Sequence, residues 1–230
     1  MEDPQRDLHN PHDGLRVNDR AVFSVTKRTR MRRRPGRATY DRDLIHAILD
    51  EALIASVAIC MDGQPHVQPM IHVRDGDRII LHGNARNRLL SHIAAGGEVC
   101  INVASVDALV LAREITGHTM HYRSATVYGR GTEVEDEAEK LRLMSIVFNH
   151  LVKTERLRHL PPLPEGYLDG TMVVLVPIEE AVGKVNAGVK TDDGPDGIWS
   201  GIVPVRVEKL EAIADERTIR ECAKLGAPAE

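Results

Sequence analysis

The sequence has few aromatic residues: one Trp, four Tyr and two Phe make up 3% of its 230 residues. A core of this composition must be built from Val, Ile, Leu, Met and Ala. The scarcity of rings argues against a surface that stacks the bases of single-stranded nucleic acid, because such surfaces use several exposed aromatic side chains. Long apolar runs are missing as well, and without a stretch of about 18 apolar residues no membrane-spanning helix is predicted.

Cysteine is also scarce, with single residues at Cys60, Cys100 and Cys222. The number is odd, no CxxC spacing occurs, and two of the three lie in apolar strand-like runs. This pattern indicates reduced thiols rather than a disulfide framework or a zinc site. Since the N-terminus is polar and lacks the apolar run of a secretory signal, a cytoplasmic protein is predicted.

Positive charge is concentrated near the N-terminus. Residues 1–37 hold ten Lys and Arg against five Asp and Glu, whereas the net charge of the whole chain is −4. Most of these cations lie in KRTRMRRRPGR, residues 27–37, which we call the basic arm. No nucleic-acid recognition fold accompanies the arm, so binding to nucleic acid is not favoured. The alternatives are that the arm lies over an acidic body or supplies charges to an anionic ligand.

Three regions follow from composition and periodicity. Residues 1–20 are rich in Pro, Asn, Asp and Gly without apolar periodicity, and are predicted to be disordered. Residues 21–204 are predicted to form one domain, and residues 205–230 a C-terminal extension with a helix near 215–225. In the domain, strands occur in runs joined by tight turns such as Asp62-Gly63. Strands in runs, not alternating with helices, indicate a mainly β (α+β) fold: an antiparallel barrel with peripheral helices.

The segment LHGNARNR, residues 81–88, is the first candidate site. A strand is predicted to end at His82 and Gly83 and a helix to start near Asn84, which places Arg86 and Arg88 in the first helical turn. Free N–H groups at a helix start attract anions, and basic residues are otherwise unfavourable there. The pattern therefore predicts a phosphate site, and the alternative is a pair of solvated surface arginines.

The strand HVQPMIHV, residues 66–73, is the second candidate. Pro69 lacks an N–H group, so it is tolerated in a strand only at an edge or facing a ligand. A flat heterocycle on this strand could form hydrogen bonds with its main chain and with Gln68. The alternative is an edge strand with mixed faces.

Histidine is frequent, with eleven residues, but shows no metal-site spacing. His118 and His121 are three residues apart, which puts them on opposite faces of a strand. His66, His72 and His82 form a looser group. No metal site is predicted, and axial ligation of heme stays open because no specific motif supports it.

The order of these motifs resembles the pyridoxamine 5′-phosphate oxidase-related, FMN-binding split-barrel family, in its nitroimidazole-resistance-type branch. The resemblance covers roughly residues 28–204 and is carried by segments that recur in the same order: RTRMRRRPGRATYDRDLIHAILDEAL, VAICMDGQPHVQPM, ILHGNARNRLL, VCINVASVDALVLAREI, HYRSATVYGRG and KVNAGVKTDDGPDGIWSGIVP. It implies a six-stranded antiparallel Greek-key split β-barrel and a homodimer with two FMN molecules at the interface.

The resemblance also implies which residues bind the cofactor. The isoalloxazine ring is expected along the strand that contains Gln68, Pro69 and Met70. The phosphate is expected at the strand-to-helix segment with His82, Gly83, Arg86 and Arg88. The second subunit is expected to complete each site through residues of two later segments, namely Tyr122, Arg123, Ser124 and Trp199.

The function implied by the resemblance is that of an oxidoreductase. Hydride would pass between flavin N5 and a small organic substrate, and oxygen or a nicotinamide donor would close the cycle. His72 and His121 are the candidate catalytic residues, as proton relays, unless they only satisfy polar contacts in the barrel. His121 stands where members of the branch commonly have Asn. The alternative function is a flavin- or heme-binding module without turnover, and deazaflavin and heme are the alternative cofactors.

Overall fold

The main feature of the fold, seen in a computed structural model of the chain, is one antiparallel sheet. The structure describes residues 22–152, 160–161, 163–188, 194–211 and 213–225. The described residues form ten strands: β1 (Ala38–Thr39), β2 (Ile54–Met61), β3 (Gln64–Asp75), β4 (Arg78–Asn84), β5 (Glu98–Leu111), β6 (Thr119–Arg130), β7 (Thr132–Glu133), β8 (Thr171–Pro177), β9 (Glu180–Asn186) and β10 (Gly201–Pro204). Their order is β1-β9-β6-β5-β2-β3-β4-β8-β7, and β10 pairs with β5. This open sheet is compatible with a split barrel.

The predicted fold class is confirmed, but the sheet has ten strands and not six. Three of the extra strands, β1, β7 and β10, contain two to four residues, too few to produce a period-2 pattern. The pattern TMVVLVPIEEAVGKVNAG, residues 171–188, predicts one long strand, but the structure breaks it after Pro177 into β8 and β9. Conversely, the sequence pattern predicts separate strands over residues 98–105 and 107–115, but these join in β5, which continues through a register shift between Val106 and Ala108 and ends at Leu111.

The described residues also form four α-helices: α1 (Arg42–Glu51), α2 (Arg88–Ala94), α3 (Glu137–Val152) and α4 (Glu216–Leu225). The first three pack against the sheet. Asp41 precedes a run with helical apolar periodicity, which predicts that it caps α1. The prediction is confirmed, since the Asp41 carboxylate accepts a hydrogen bond from the Leu44 N–H at 2.8 Å. The predicted hairpin is confirmed as well. Asp62 and Gly63 both adopt the left-handed conformation, with φ of 51° and 74°, and join β2 to β3.

Two apolar cores lie on the two faces of the sheet. The larger one lies on one face, where aliphatic side chains of β2, β4, β5, β6, β8 and β9 pack with α1 and α2. The smaller one lies between α3 and the opposite face of β3, β4 and β8. Aliphatic residues form almost all of both cores, as the composition requires. The exception is Phe23, only 3% exposed, whose N–H donates to the Tyr40 carbonyl at 2.8 Å.

The basic arm is described in full, whereas the predicted disordered segment 1–20 lies outside the described residues. Within the arm, Arg28 forms ion pairs with Glu180 and Glu98. This part of the arm therefore lies over acidic groups of the sheet, which is one of the two alternatives predicted for it. No helix in the described part of the chain has the length and apolarity to cross a bilayer.

Candidate functional site

One half of β3 has an open edge. Residues 64–71 pair with β2, whereas β4 pairs only with residues 72–75. Pro65 and Pro69 both lie in the half that has no second neighbour in the described chain. Because proline cannot donate to a ladder, this placement agrees with the edge position predicted for Pro69. The edge leaves main-chain groups between the prolines available to a ligand.

The start of α2 lies beside this edge. Asn87 caps the helix, and its side-chain oxygen accepts from the N–H groups of Leu89 at 2.9 Å and Leu90 at 3.2 Å. Leu90 is fully buried. Gly83 allows the close approach, since a Cβ there would lie 3.0 Å from Leu90 Cδ1. The helix is thus held firmly against the end of β4.

The structure corrects the predicted start of this helix. It begins at Arg88 and not near Asn84, because β4 continues through Asn84, which pairs with Thr171 of β8. Arg86 therefore lies in the preceding turn, exposed, with its N–H donated to the Asn84 side chain at 2.9 Å. Several amides that the sequence predicted to be free for an anion are already used by asparagine side chains. Affinity for an anion must come mainly from side chains.

A pocket of about 360 Å³ lies between the open edge of β3 and the start of α2. The Arg88 guanidinium contacts the His66 ring, with 3.1 Å between Nη2 and Nδ1. The Asn87 amide donates to Gln68 Oε1 at 3.4 Å. No carboxylate belongs to the described lining, so the polar groups are cationic or neutral. The lining residues come from β2, β3 and α2: Ile59, His66, Val67, Gln68, Asn87, Arg88 and Leu89.

Two predicted cofactor-binding residues, Gln68 and Arg88, therefore meet in one pocket. His66 and Asn87 also line it, and the sequence reasoning did not assign them to the site. A signal for His66 was present, because residues i and i+2 of a strand share a face and Gln68 was already a candidate. No local signal connects His66 with Arg88, since the contact spans 22 positions.

Other predicted residues lie near the pocket without lining it. The side chain of Met70 is buried in the larger core, so only its main chain is available to a cofactor. His82 is half-buried, and its Nδ1 has no hydrogen-bond partner among the described residues. Burial lowers the pKa of the His82 imidazole.

His72 is placed differently from its predicted role. It is 1% exposed, and its Nε2 lies 2.9 Å from the Leu49 carbonyl oxygen at the end of α1. Burial lowers the pKa of this imidazole, although the Leu49 contact acts in the opposite direction. This geometry fits the alternative given for His72, a polar contact within the barrel, and its catalytic role stays a prediction.

Arg123 is occupied by two carboxylates of its own chain. Its Nη2 lies 2.6 Å from Asp107 Oδ1 and 2.9 Å from Glu51 Oε1. Asp107 and then Glu51 raise the pKa of the guanidinium above its usual value. The side chain thus joins β6 to β5 and to the end of α1, and its charge is neutralised without a ligand.

The remaining predicted residues do not line the pocket of their own chain. His121, Tyr122 and Ser124 are half-buried on β6, which is separated from β3 by β5 and β2. Trp199 is 64% exposed in the loop before β10. Their predicted contribution to a site shared between two subunits stays a prediction. Among the described residues, no group of three or more His, Cys, Asp or Glu side chains could hold a metal ion.

Comparison with known proteins adds family information to this geometry. The sequence profile described as pyridoxamine 5′-phosphate oxidase matches residues 41–185, more than half of the chain. No curated protein matches the chain. The flavocytochrome Anf3 from Azotobacter vinelandii is a similar solved structure. It is 30% identical with a TM-score of 0.78, and the match covers 85% of this chain and 92% of that one.

Two further solved structures share the fold. The FAD- and heme-binding protein from Mycobacterium smegmatis is 24% identical with a TM-score of 0.71, over 78% of this chain and 89% of that one. A protein described as a 5-nitroimidazole antibiotic resistance protein, from Bacteroides thetaiotaomicron, is 23% identical with a TM-score of 0.55. That match covers 64% of this chain and 86% of the other.

Proposed function

Since the chain belongs to the pyridoxamine 5′-phosphate oxidase family, we propose that it is a flavin-dependent oxidoreductase acting on a small organic substrate. The observation that carries the proposal is the pocket between β3 and α2, with the Arg88 guanidinium, the His66 imidazole and the Asn87 amide at one end. These groups fit the phosphate of a flavin nucleotide, because charge-assisted hydrogen bonds from arginine suit phosphate oxygens. A carboxylate would repel the phosphate, and none belongs to the described lining.

The ring system fits beside the same pocket. The open edge of β3 offers main-chain groups next to Gln68 and Pro69, and Val67 and Ile59 supply apolar contact. When bound, the flavin supplies hydride and electron transfer. The protein itself would bind the phosphate and orient the ring along β3 through hydrogen bonds from the main chain and Gln68. It would also exclude water from one side of the ring. A nicotinamide donor or oxygen would complete the redox cycle.

Two observations bear on which flavin is bound, and they favour different cofactors. The resemblance of the motifs favours FMN. The name of the Mycobacterium smegmatis structure mentions FAD and heme, and the structure at 30% identity is named a flavocytochrome. This likeness favours a second candidate function, a flavin- and heme-binding electron-transfer protein without substrate turnover.

We also propose that the protein acts as a homodimer, and that the outer face of β2 and β3 forms the contact. Ile54 and Val67 are 60% and 66% exposed there, on a sheet face where charged side chains are few. Exposed aliphatic side chains on adjacent strands are typical of a surface covered by another protein. A second copy would bring Tyr122, Ser124 and Trp199 of one subunit toward the flavin of the other.

The test is the absorption spectrum of the purified protein, together with the mass of the cofactor released on denaturation. Flavin bands and the mass of FMN or FAD would support the proposal, and bleaching by a nicotinamide donor under anaerobic conditions would support turnover. A Soret band beside the flavin bands, without such bleaching, would favour the second candidate. Protein that neither contains nor takes up any flavin would overturn the proposal.

A further inference from the structure

Three side chains from distant parts of the chain meet on the outer face of β6 and β9: Arg37, Tyr122 and Lys184. The basic arm ends in the 3-10 helix Pro35–Arg37, and β1 then pairs with β9 so that Ala38 lies opposite Lys184. On the other side of β9, Lys184 lies opposite Ser124, and Tyr122 is its diagonal neighbour. The Lys184 ammonium lies 5.6 Å from the centre of the Tyr122 ring. We call this group the cationic triad.

The two cations of the triad share the same partner. Both Lys184 and Arg37 interact with the hydroxyl of Tyr122. All three side chains are half-buried, so water solvates the two charges less completely than it would on an open surface. Two like charges directed at one oxygen repel each other, and this repulsion is strengthened where solvent is partly excluded.

The charge of the two cations is not balanced by an ion pair among the described residues. In the described part of the chain, neither Arg37 nor Lys184 forms an ion pair, whereas Arg28 of the same arm has Glu180 and Glu98. The excess positive charge lowers the pKa of the Tyr122 phenol. Burial acts to raise the pKa of Tyr122, but its hydrogen bonds with Lys184 and Arg37 and their charges outweigh burial and hold the pKa below its usual value. The triad is therefore a place where a negative charge is favoured.

We propose that the cationic triad binds a phosphate or pyrophosphate group of a ligand. Arginine presents a planar fork of donors that matches phosphate oxygens, lysine adds a point charge, and the tyrosine hydroxyl can donate a further hydrogen bond. Arg32, Arg33 and Arg34 are exposed in the arm next to Arg37 and extend the positive surface. The arm thus takes the second role considered for it, the supply of charges to an anionic ligand.

This site is separate from the pocket at Arg88. In one chain, three inter-strand steps of roughly 4.8 Å, about 14 Å along the sheet, separate β6 from β3. A single phosphate therefore cannot contact both sites of the same chain. The anion is either a phosphate of a separate molecule, such as a nicotinamide dinucleotide, or the more distant phosphate of a dinucleotide flavin.

The test uses inorganic pyrophosphate as the probe, with the protein as purified and at low ionic strength. Calorimetry gives the affinity, and ultraviolet absorbance of tyrosinate during a pH titration reports on Tyr122. We expect one tyrosine to ionise below the usual value of about 10, and pyrophosphate to move that ionisation upward. Tyr122→Phe should remove the early absorbance change and keep most of the binding, because both cations remain.

Variants that remove one charge from the triad test whether it binds the anion. Arg37→Ala and Lys184→Ala should each weaken pyrophosphate binding by about tenfold or more, since each removes a charge-assisted contact. Lys140→Ala is the matched control, because it removes the same charge from α3, which packs against β3, β4 and β8, away from the triad. Equal affinity in Lys184→Ala and in the unmodified protein would overturn the proposal. Circular dichroism verifies folding, and Lys184→Gln provides a second variant.

Flavin retention distinguishes the two sources of the phosphate. If the anion belongs to FAD, Lys184→Ala should lower affinity for FAD and leave affinity for FMN unchanged. If it belongs to a separate molecule, both flavins should bind as before while pyrophosphate and NADH bind more weakly. Either result supports the site. Unchanged affinity for every one of these probes contradicts it, and flavin binding at Arg88 would still stand.

Discussion

Arg88 Nη2 lies 3.1 Å from His66 Nδ1, so that α2 and the open edge of β3 are joined across the pocket. An arginine can only donate, and His66 must therefore accept through Nδ1 and carry its proton on Nε2. That proton is available to a further acceptor. The contact thus orients two donor groups, the guanidinium and the imidazole Nε2–H, at one pocket.

Arg88→Ala should weaken flavin binding, whereas Arg86→Ala should change it little. The first variant removes a guanidinium that lines the pocket, and a charge-assisted hydrogen bond is worth about 1.5–3 kcal/mol, or roughly tenfold to a hundredfold in affinity. Arg86 is exposed in the preceding turn and does not line the pocket. Reconstitution of the apoprotein, followed by flavin fluorescence, measures both. Equal losses in the two variants would show that only overall charge matters.

Asn87→Asp should separate helix capping from binding. An aspartate at this position can still accept from Leu89 and Leu90, so the free energy of unfolding should stay nearly unchanged. The new carboxylate would lie at the phosphate end of the pocket and should reduce flavin affinity. Asn87→Ala, in contrast, should cost about 1 kcal/mol of stability through loss of the cap. Urea unfolding and flavin titration of both variants test this, and full flavin affinity in the aspartate variant would contradict the pocket assignment.

Stability should fall as the pH is lowered below about 6.5, and His72 should account for part of the fall. The pKa of His72 is lowered in the folded state, so below the pKa of the unfolded chain the unfolded state binds more protons. The loss of stability grows until the pH has also passed the lower, folded-state pKa, and below that pH it remains without increasing further. His150 and Asp50 act on the same ring, and the pKa values of His46 and His82 are lowered as well.

His72→Gln should therefore be less stable than the unmodified protein at about pH 7.5. On acidification to about pH 5.5, the variant should lose less stability than the unmodified protein does. His118→Gln, at an exposed position, serves as the control and should follow the unmodified protein. The free energy of unfolding in urea at the two pH values gives the comparison. An identical pH dependence for all three proteins would show that His72 does not titrate on unfolding.

Arg123→Met should destabilise the fold by about 1–3 kcal/mol, because it leaves Asp107 and Glu51 without their shared cation. Arg142 also contacts two carboxylates, Asp75 and Glu139, but at an exposed position on α3. Arg142→Met should have a smaller effect, since solvent screens that network. Thermal and urea unfolding rank the two variants, and a larger loss for Arg142→Met would contradict the argument from burial.

Ile54→Asp should convert the proposed homodimer into monomers and weaken flavin binding at the same time. The side chain is 60% exposed on the outer face of β2, so the substitution leaves both cores intact while placing a charge in the proposed interface. Ile115→Asp is the control, because this residue is exposed in the 3-10 helix Ile115–Gly117. Sedimentation velocity gives the oligomeric state. A dimer that persists in Ile54→Asp would place the interface elsewhere.

Features that depend on a few neighbouring residues could be predicted from the sequence. The cap at Asp41, the hairpin turn at Asp62 and Gly63, and the edge position of Pro69 all follow from local conformational preferences. The order of strand and turn signals indicated an antiparallel fold for the same reason. The sequence also indicates Gln68 and Arg88, and both line the pocket.

The sequence by itself thus determined the class of fold and the segments that carry the candidate site. Only the tertiary structure decided how side chains meet. Pairing with β8 extends β4 and moves the start of α2 to Arg88, packing encloses His72, and the arm brings Arg37 to Tyr122 and Lys184. These outcomes depend on which strand lies beside which and on the face that each side chain occupies. Such relations join residues far apart in the chain, so no local pattern contains them.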